Sequence, residues 1–537
     1  MKKLLYSILS LCLCISACDV DRISETNLSD GSFWKSENDL KSATNYLYTF
    51  LPNLLITSDN WSDDGFAKAP NPISDGSQLA PATSGNYSSP YKLVRAATNI
   101  IVKASLAVDA GVPPATADVY VAEARFFRAW AYFQLVQKFG DVPLILTLLK
   151  EDSPELMGPR TPKEQVYEAI YADLDYGIAT LPTPTERGTS GYGRITNTAA
   201  LAFKARVALF EGTRAKFHQD GDPTTALSLA VEAAGKVMES GEHHLFNNYF
   251  GLFQYEGEGF QNKENILVRQ YGKRIDDNIV GYNCGTLING ATNATKALVD
   301  AYLMKDGLPI GISPSYTPPS TFAETFVDRD ERLNATVMKA GDPYFYSEPF
   351  QAPALVYHTT GYCPRKFVDS YTVGTGVTFI DYPIIRYAEV LLIYAEALYE
   401  LNGSISDADL DLSINLLRER ADVHALSNGF VQAHGLDMRA EIRRERRVEL
   451  AMEGFRYWDL IRWKTAEIEL PKDVLGSYFF DDEVGFSTAN PNLNEDHYIL
   501  LQSSNNRRFD PDKDYLWPLP INELAINPQL EQNPGWK

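Results

Sequence analysis

The segment Arg443–Lys464, RRERRVELAMEGFRYWDLIRWK, constrains this chain more than any other. Six arginines and Lys464 meet Glu445, Glu449, Glu453 and Asp459. Opposite charges fall three apart at Arg446/Glu449, Glu453/Arg456, Arg456/Asp459 and Asp459/Arg462, which are neighbours on a helix. Val448, Leu450, Met452, Phe455, Tyr457, Trp458, Leu460, Ile461 and Trp463 take up most of the remaining circumference. A helix that is apolar all round belongs inside a protein. Its arginines then need internal carboxylates, because an unpaired buried charge is costly. The segment therefore reads as a buried, arginine-clamped helix, with Trp458 and Trp463 in the core. A phosphate-binding helix would leave its arginines unpaired. A net charge of −21 also argues against nucleic acid as a partner.

A chain of 537 residues, 45% hydrophobic, is long enough to enclose such a segment. Helical patterns dominate. Ser36 can cap a helix with Leu40, Ala43, Tyr46, Leu47 and Phe50 on one face. A helix with a cap candidate at Asp118 ends before Gly140. Another has Pro162 in its first turn and ends at Pro182, and two Ala-rich helices follow between residues 196 and 241. Small residues at the crossings suggest tetratricopeptide-like hairpins. Residues 57–90 are Gly-, Pro-, Ser-, Asn- and Asp-rich and read as a long loop. From about 249 to 382 helical periodicity fades and Gly, Pro, Asn and Tyr rise. The expected fold is mainly α: a helical-hairpin scaffold over about 33–248 and 383–537, with a loop-rich insertion over about 249–382 forming the ligand-binding region.

Lys2 and Lys3 precede an apolar run from Leu4 to Ile15 that is too short to span a bilayer. Ser16, Ala17 and Cys18 follow. This order resembles a lipobox, so residues 1–17 read as a signal peptide and Cys18 as the lipidated N-terminus. Residues 18–32 read as a flexible tether and 33–537 as one domain. Cys284 and Cys363 remain after processing and could pair in an oxidising compartment. Their separation in space is not legible in the sequence.

Catalytic signatures are missing. The sequence has no HExxH, GxSxG, P-loop or GxGxxG pattern. Asp510–Asp514 alternates acids but lacks the glycine and distant glutamate of a calcium loop. The adjacent pair His243–His244 does not make a zinc site. Glu389 and Glu396, seven apart on one helical face, fit partners of Arg443 or Arg447 better than a catalytic pair. No metal, cofactor or catalytic residue is expected.

The chain resembles the SusD/RagB family of nutrient-binding outer-membrane lipoproteins. The resemblance rests on RRERRVELAMEGFRYWDLIRWK, YVAEARFFRAWAYFQLVQKFGDVPL, IIRYAEVLLIYAEALYELNG, LVDAYLMKDGLPI, VDRDERLNATV and DYLWPLPINELAINPQLEQNPGW. These segments appear in order over nearly the whole chain. The resemblance implies a non-enzymatic, lipid-anchored, surface-exposed protein of the cell outer membrane. It would capture oligosaccharide or polysaccharide and deliver it to a SusC-like TonB-dependent outer-membrane barrel. Peptide or glycopeptide capture, a lipid-anchored glycan hydrolase and a structural adaptor are the alternatives.

The family's ligand residues do not transfer, because its binding loops vary most. Sugar recognition needs aromatic faces for C–H stacking and polar side chains for hydroxyls. Two loop regions offer such mixtures. The candidate ligand-binding residues are Trp61, Asp64 and Tyr87 in the first, and Tyr271, Tyr282 and Asn283 in the second.

Overall fold

The structure is a computed structural model describing residues 33–54, 56–272, 284–344, 348–370, 378–487 and 489–536. Cys18, the tether, Tyr282 and Asn283 lie outside the described residues.

Helix α1 (Glu37–Tyr48) begins at the expected cap. The Ser36 hydroxyl accepts from the Asp39 N–H at 3.3 Å, and the Asp39 carboxylate accepts from the Ser36 N–H at 2.9 Å. Leu40 and Leu47 are buried, whereas Tyr46 is exposed. Five long helices follow: α2 (Gly85–Asp109), α3 (Pro114–Phe139), α4 (Lys163–Thr180), α5 (Asn197–His218) and α6 (Pro223–Glu239). Pro114 opens α3, since its fixed φ suits the first helical position. Asp118 is therefore inside α3 rather than its cap, and it accepts from Tyr176 Oη at 3.2 Å. Gly140, at φ 69°, ends α3 as the sequence suggests.

Short connections fold these helices into hairpins. Alanines set the closeness of α5 and α6: Ala205, Ala208, Ala230 and Ala234 are fully buried. Gly212 sits where a Cβ would come within 2.8 Å of Leu227, so only a bare backbone admits that approach. After α6 the chain passes through turns and short helices. β1 (Asn265–Arg269) pairs antiparallel with β2 (Tyr382–Arg386), which runs directly into α7 (Tyr387–Asn402). Helix α7 packs back on α5 and α6. The fold is mainly α, with two-stranded sheets as its β content among the described residues.

Helices α8 (Ile414–Arg420), α9 (Met438–Glu449) and α10 (Arg456–Arg462) complete the core. The arginine-rich segment is not one helix. It breaks between α9 and α10, where Met452 has φ 60° and Gly454 φ 82°. Of the four expected short-range pairs, the structure keeps Asp459–Arg462, at 2.9 Å. The turn sends the other charges to distant partners. Arg446 reaches Asp459 at 2.9 Å and Arg456 reaches Asp63 at 2.8 Å. Glu449 takes Arg386, Arg420 and Arg332, and Glu453 takes Arg386 and Lys366. Burial and internal pairing follow the sequence expectation; helical continuity does not.

Glu389 and Glu396 pair with arginine, but not with Arg443 or Arg447. Glu389 binds Arg206 at 2.6 Å. Glu396 accepts from Arg462 Nη2 at 2.7 Å and from Trp463 Nε1 at 2.6 Å. Burial opposes the Glu396 charge, but Arg462 holds the carboxyl down at about 2. Cys284 and Cys363 are separate buried thiols. Cys363 Sγ lies 3.7 Å from Met338 Sδ instead.

Candidate functional site

A cavity of about 270 Å³ opens where α3 and α5 meet α10 and the residues around Trp61. Its shape follows from helical spacing. Trp130, Phe133, Gln134, Gln137 and Lys138 lie at i, i+3, i+4, i+7 and i+8 on α3, so they form one face. That face runs about 12 Å at 1.5 Å per residue. Phe203, Arg206 and Phe210 of α5 form the facing side, and Trp61, Phe455 and Trp458 contribute further rings.

The rings are ordered by mutual edge-to-face and stacked contacts. Trp61 stands 5.3 Å from Trp517, 5.9 Å from Tyr457 and 6.4 Å from Trp458, centre to centre. Trp458 stacks on Trp517 at 6.0 Å with the planes 29° apart. Trp517 Nε1 donates to Tyr457 Oη at 3.0 Å, fixing that pair. Trp458, expected in the core, is half-buried and lines the cavity. The break at Gly454 restarts the helix and turns Trp458 outward, while Trp463 stays buried.

Trp61 is half-buried on the cavity wall, so the first candidate region does reach a plausible site. Asp64 does not act beside it as a free polar group. It is buried, and its carboxylate accepts from Arg447 Nε at 2.7 Å. Asp63 accepts from Arg456 Nε at 2.8 Å, and Asp59 accepts from the Gly454 N–H at 3.1 Å. These three aspartates fasten the Trp61 turn to α9 and α10. Tyr87 is not a loop aromatic, because α2 already starts at Gly85. It is 5% exposed and packs on Tyr91 and Phe139, and burial pushes its hydroxyl up to about 12. Tyr271 is half-buried away from the cavity, with its N–H donated to Asp381 at 3.0 Å.

The cavity's charges divide into two groups. Asp459 and Glu453 line it, but Asp459 is held by Arg446 and Arg462, and Glu453 by Arg386 and Lys366. Burial opposes the Glu453 charge, yet Arg386 and Lys366 hold that carboxyl below its usual range. Lys138 differs. Its Nζ lies 5.3 Å above the Trp458 ring and 5.9 Å from the Trp517 ring, and donates at 3.4 Å to the Gln134 carbonyl. No carboxylate pairs with it among the described residues. Burial alone pulls its ammonium down to about 8. Aromatic faces and fixed donors suit a sugar-like ligand. The carboxylates, each committed to cations, do not form an open acid–base pair.

The family described as "SusD family" matches residues 254–536, more than half of the chain. The chain belongs to the SusD family. A second family, described as "Starch-binding associating with outer membrane", matches residues 55–209. A SusD-like protein of Bacteroides ovatus is 28% identical over 91% of this chain and 86% of its own length. SusD-like protein P2 of Formosa agariphila is 27% identical over the full length of both. The crystal structure of a SusD-like carbohydrate binding protein from Bacteroides fragilis superposes with a TM-score of 0.78 at 25% identity, covering 93% of this chain and all of that one. Surface glycan-binding protein A from Bacteroides fluxus shares the fold at a TM-score of 0.62 and 21% identity, covering 93% of this chain and all of that one.

In this SusD-family chain the residues missed by sequence reasoning are Lys138, Trp130, Trp458 and Trp517. The first two belong to the segment FFRAWAYFQLVQK, where an apolar face reads as core. A lysine at the end of that apolar face was the available signal for Lys138.

Proposed function

We propose that this SusD-family protein captures glycans at the cell surface and passes them, unmodified, to a SusC-like TonB-dependent outer-membrane barrel. Cys18 carries the lipid that holds it on the outer membrane. The observation that carries the reading is the aromatic cavity built by Trp61, Trp130 and Trp458 between scaffold helices. Family membership and a carbohydrate-binding relative of the same fold support it. Tyr282 and Asn283 form a second contact region in this proposal.

Isothermal calorimetry against oligosaccharides tests the site. Trp458→Ala is expected to weaken binding roughly 10- to 100-fold, the loss of one ring that stacks on a ligand. Normal binding by Trp458→Ala and Trp61→Ala together would move the site elsewhere. Chromatography of the glycan after long incubation should show no product. Cys18→Ser should move the protein from the membrane to the soluble fraction, and a co-purified barrel should be lost on truncation of the lipoprotein.

A further inference from the structure

One cation at the cavity is not balanced by a carboxylate among the described residues. Lys138 is 8% exposed and ends against two indole faces and a single carbonyl at 3.4 Å. Two more donors on the same wall are buried without a partner among the described residues: Arg446 Nη1 and Trp130 Nε1. Arg446 Nε is already spent on Asp459. The wall's carboxylates are spent too: Asp459 holds Arg446 and Arg462, and Glu453 holds Arg386 and Lys366. Buried polar groups without partners cost stability, and native proteins keep few of them. A ligand that brings an acceptor into the cavity would complete the bonds of the Lys138 ammonium.

From this imbalance we infer that the cavity takes an anionic sugar, with the Lys138 ammonium receiving a carboxylate or sulfate beside the half-buried Trp458 and Trp61 rings. The inference rests on the glycan-capture reading and specifies its substrate class. A neutral sugar's oxygens can accept from the ammonium but bring no charge, and would leave it uncompensated. The surrounding net charge of −21 sharpens the argument. It repels acidic polymers in general, so an acidic ligand needs a local donor cluster to be held. The volume, about 270 Å³, lies at the low end for small-ligand sites and suits a short or terminal portion of a chain.

The test is calorimetry at pH 7 with three probe sets: oligogalacturonides, sulfated galactan oligosaccharides and neutral galacto-oligosaccharides. One acidic set should bind at least about tenfold tighter than the neutral one; the two acidic sets distinguish carboxylate from sulfate. Lys138→Met should weaken the acidic probe about 10- to 100-fold, the factor for one charge-assisted hydrogen bond. Its melting temperature should stay equal or rise, because the variant removes a buried, uncompensated charge. Affinity for the acidic probe should also fall between pH 7 and 9, as an ammonium held near 8 loses its proton. Equal or tighter binding of the neutral set would overturn the inference and leave glycan capture standing. Acidic binding unchanged in Lys138→Met would overturn it as well. No binding to any carbohydrate would overturn both readings.

Discussion

Asp64 shows how one side chain can serve a site without touching a ligand. Its carboxylate and that of Asp63 clasp Arg447 and Arg456, and the clasp fixes the turn that carries Trp61. Asp64→Asn keeps the shape and removes the charge. It should lower unfolding stability by about 1–3 kcal/mol, the cost of leaving a buried donor short of its partner. Glycan affinity of the folded variant should be nearly unchanged, because Asp63 still holds the arginines. Urea denaturation and calorimetry on the same preparation read the two quantities. A large affinity loss with no stability loss would place Asp64 at the ligand after all. The sequence grouped Trp61 and Asp64 as candidates because both sit in one polar loop. The structure separates them, and the reason is electrostatic: Arg447 and Arg456, hundreds of residues away, consume the acids. Linear spacing carries no trace of that demand.

Helix ends were legible where a cap has a local signature. Ser36 and Gly140 each mark a boundary that the structure keeps. The α9–α10 break was not legible. Charges at a spacing of three imitate a continuous helix across Gly454, and apolar residues on every side hide the turn. The structure shows what the break achieves. It points Glu449 and Glu453 inward to Arg386 and presents Trp458 to the cavity. Gly454, at φ 82°, also donates its N–H to Asp59. Gly454→Ala should therefore cost about 1–2 kcal/mol for a Cβ in the left-handed region. It should also weaken glycan binding, since Trp458 lies four residues on. Thermal unfolding and calorimetry check both. Retained stability would mean that the turn relaxes to another conformation at no cost. The α5–α6 hairpin gives the contrasting lesson. Its alanine pattern did report close packing, because that contact is made by neighbours in sequence.

A buried ionic network that runs from α7 to α10 and reaches into the insertion makes the stability of the protein depend on pH in two opposing ways. Burial works against the charge on Glu396, Glu449 and Glu453, but their arginine and lysine partners hold all three below the ordinary glutamate value of 4.5. A depressed carboxyl stabilises the fold above its unfolded value and loses that contribution as pH falls through its folded value. The window for this loss opens near pH 4.5 and extends to about 2, where Glu396 titrates. Other carboxyls shift upward. Burial pushes Glu211 up to about 7 and Asp381 to about 6. Their charged forms cost stability above those values, so stability rises as pH falls from about 7 toward the unfolded values. Net charge acts in the same direction, since mild acid relieves repulsion within a chain of charge −21. Buried His218, His243 and His358, each held down at about 4, oppose that rise, because the unfolded chain takes up their protons as pH falls below 6.5. The melting temperature should therefore change little from pH 7.5 to about 5 and fall steeply below about 4. Calorimetric scans from pH 7.5 to 3 at fixed ionic strength decide this. A melting temperature that only falls from pH 7.5 downward would show that the raised carboxyls contribute little. Glu396→Gln separates the two limbs. It leaves Arg462 short of a charge, costing about 3–5 kcal/mol at pH 7. The deficit should shrink toward pH 3, because the unfolded wild-type chain takes up a proton at Glu396 below about 4.5 and loses that part of its advantage. A deficit that stays constant with pH would mean that Glu396 acts through packing rather than through its charge.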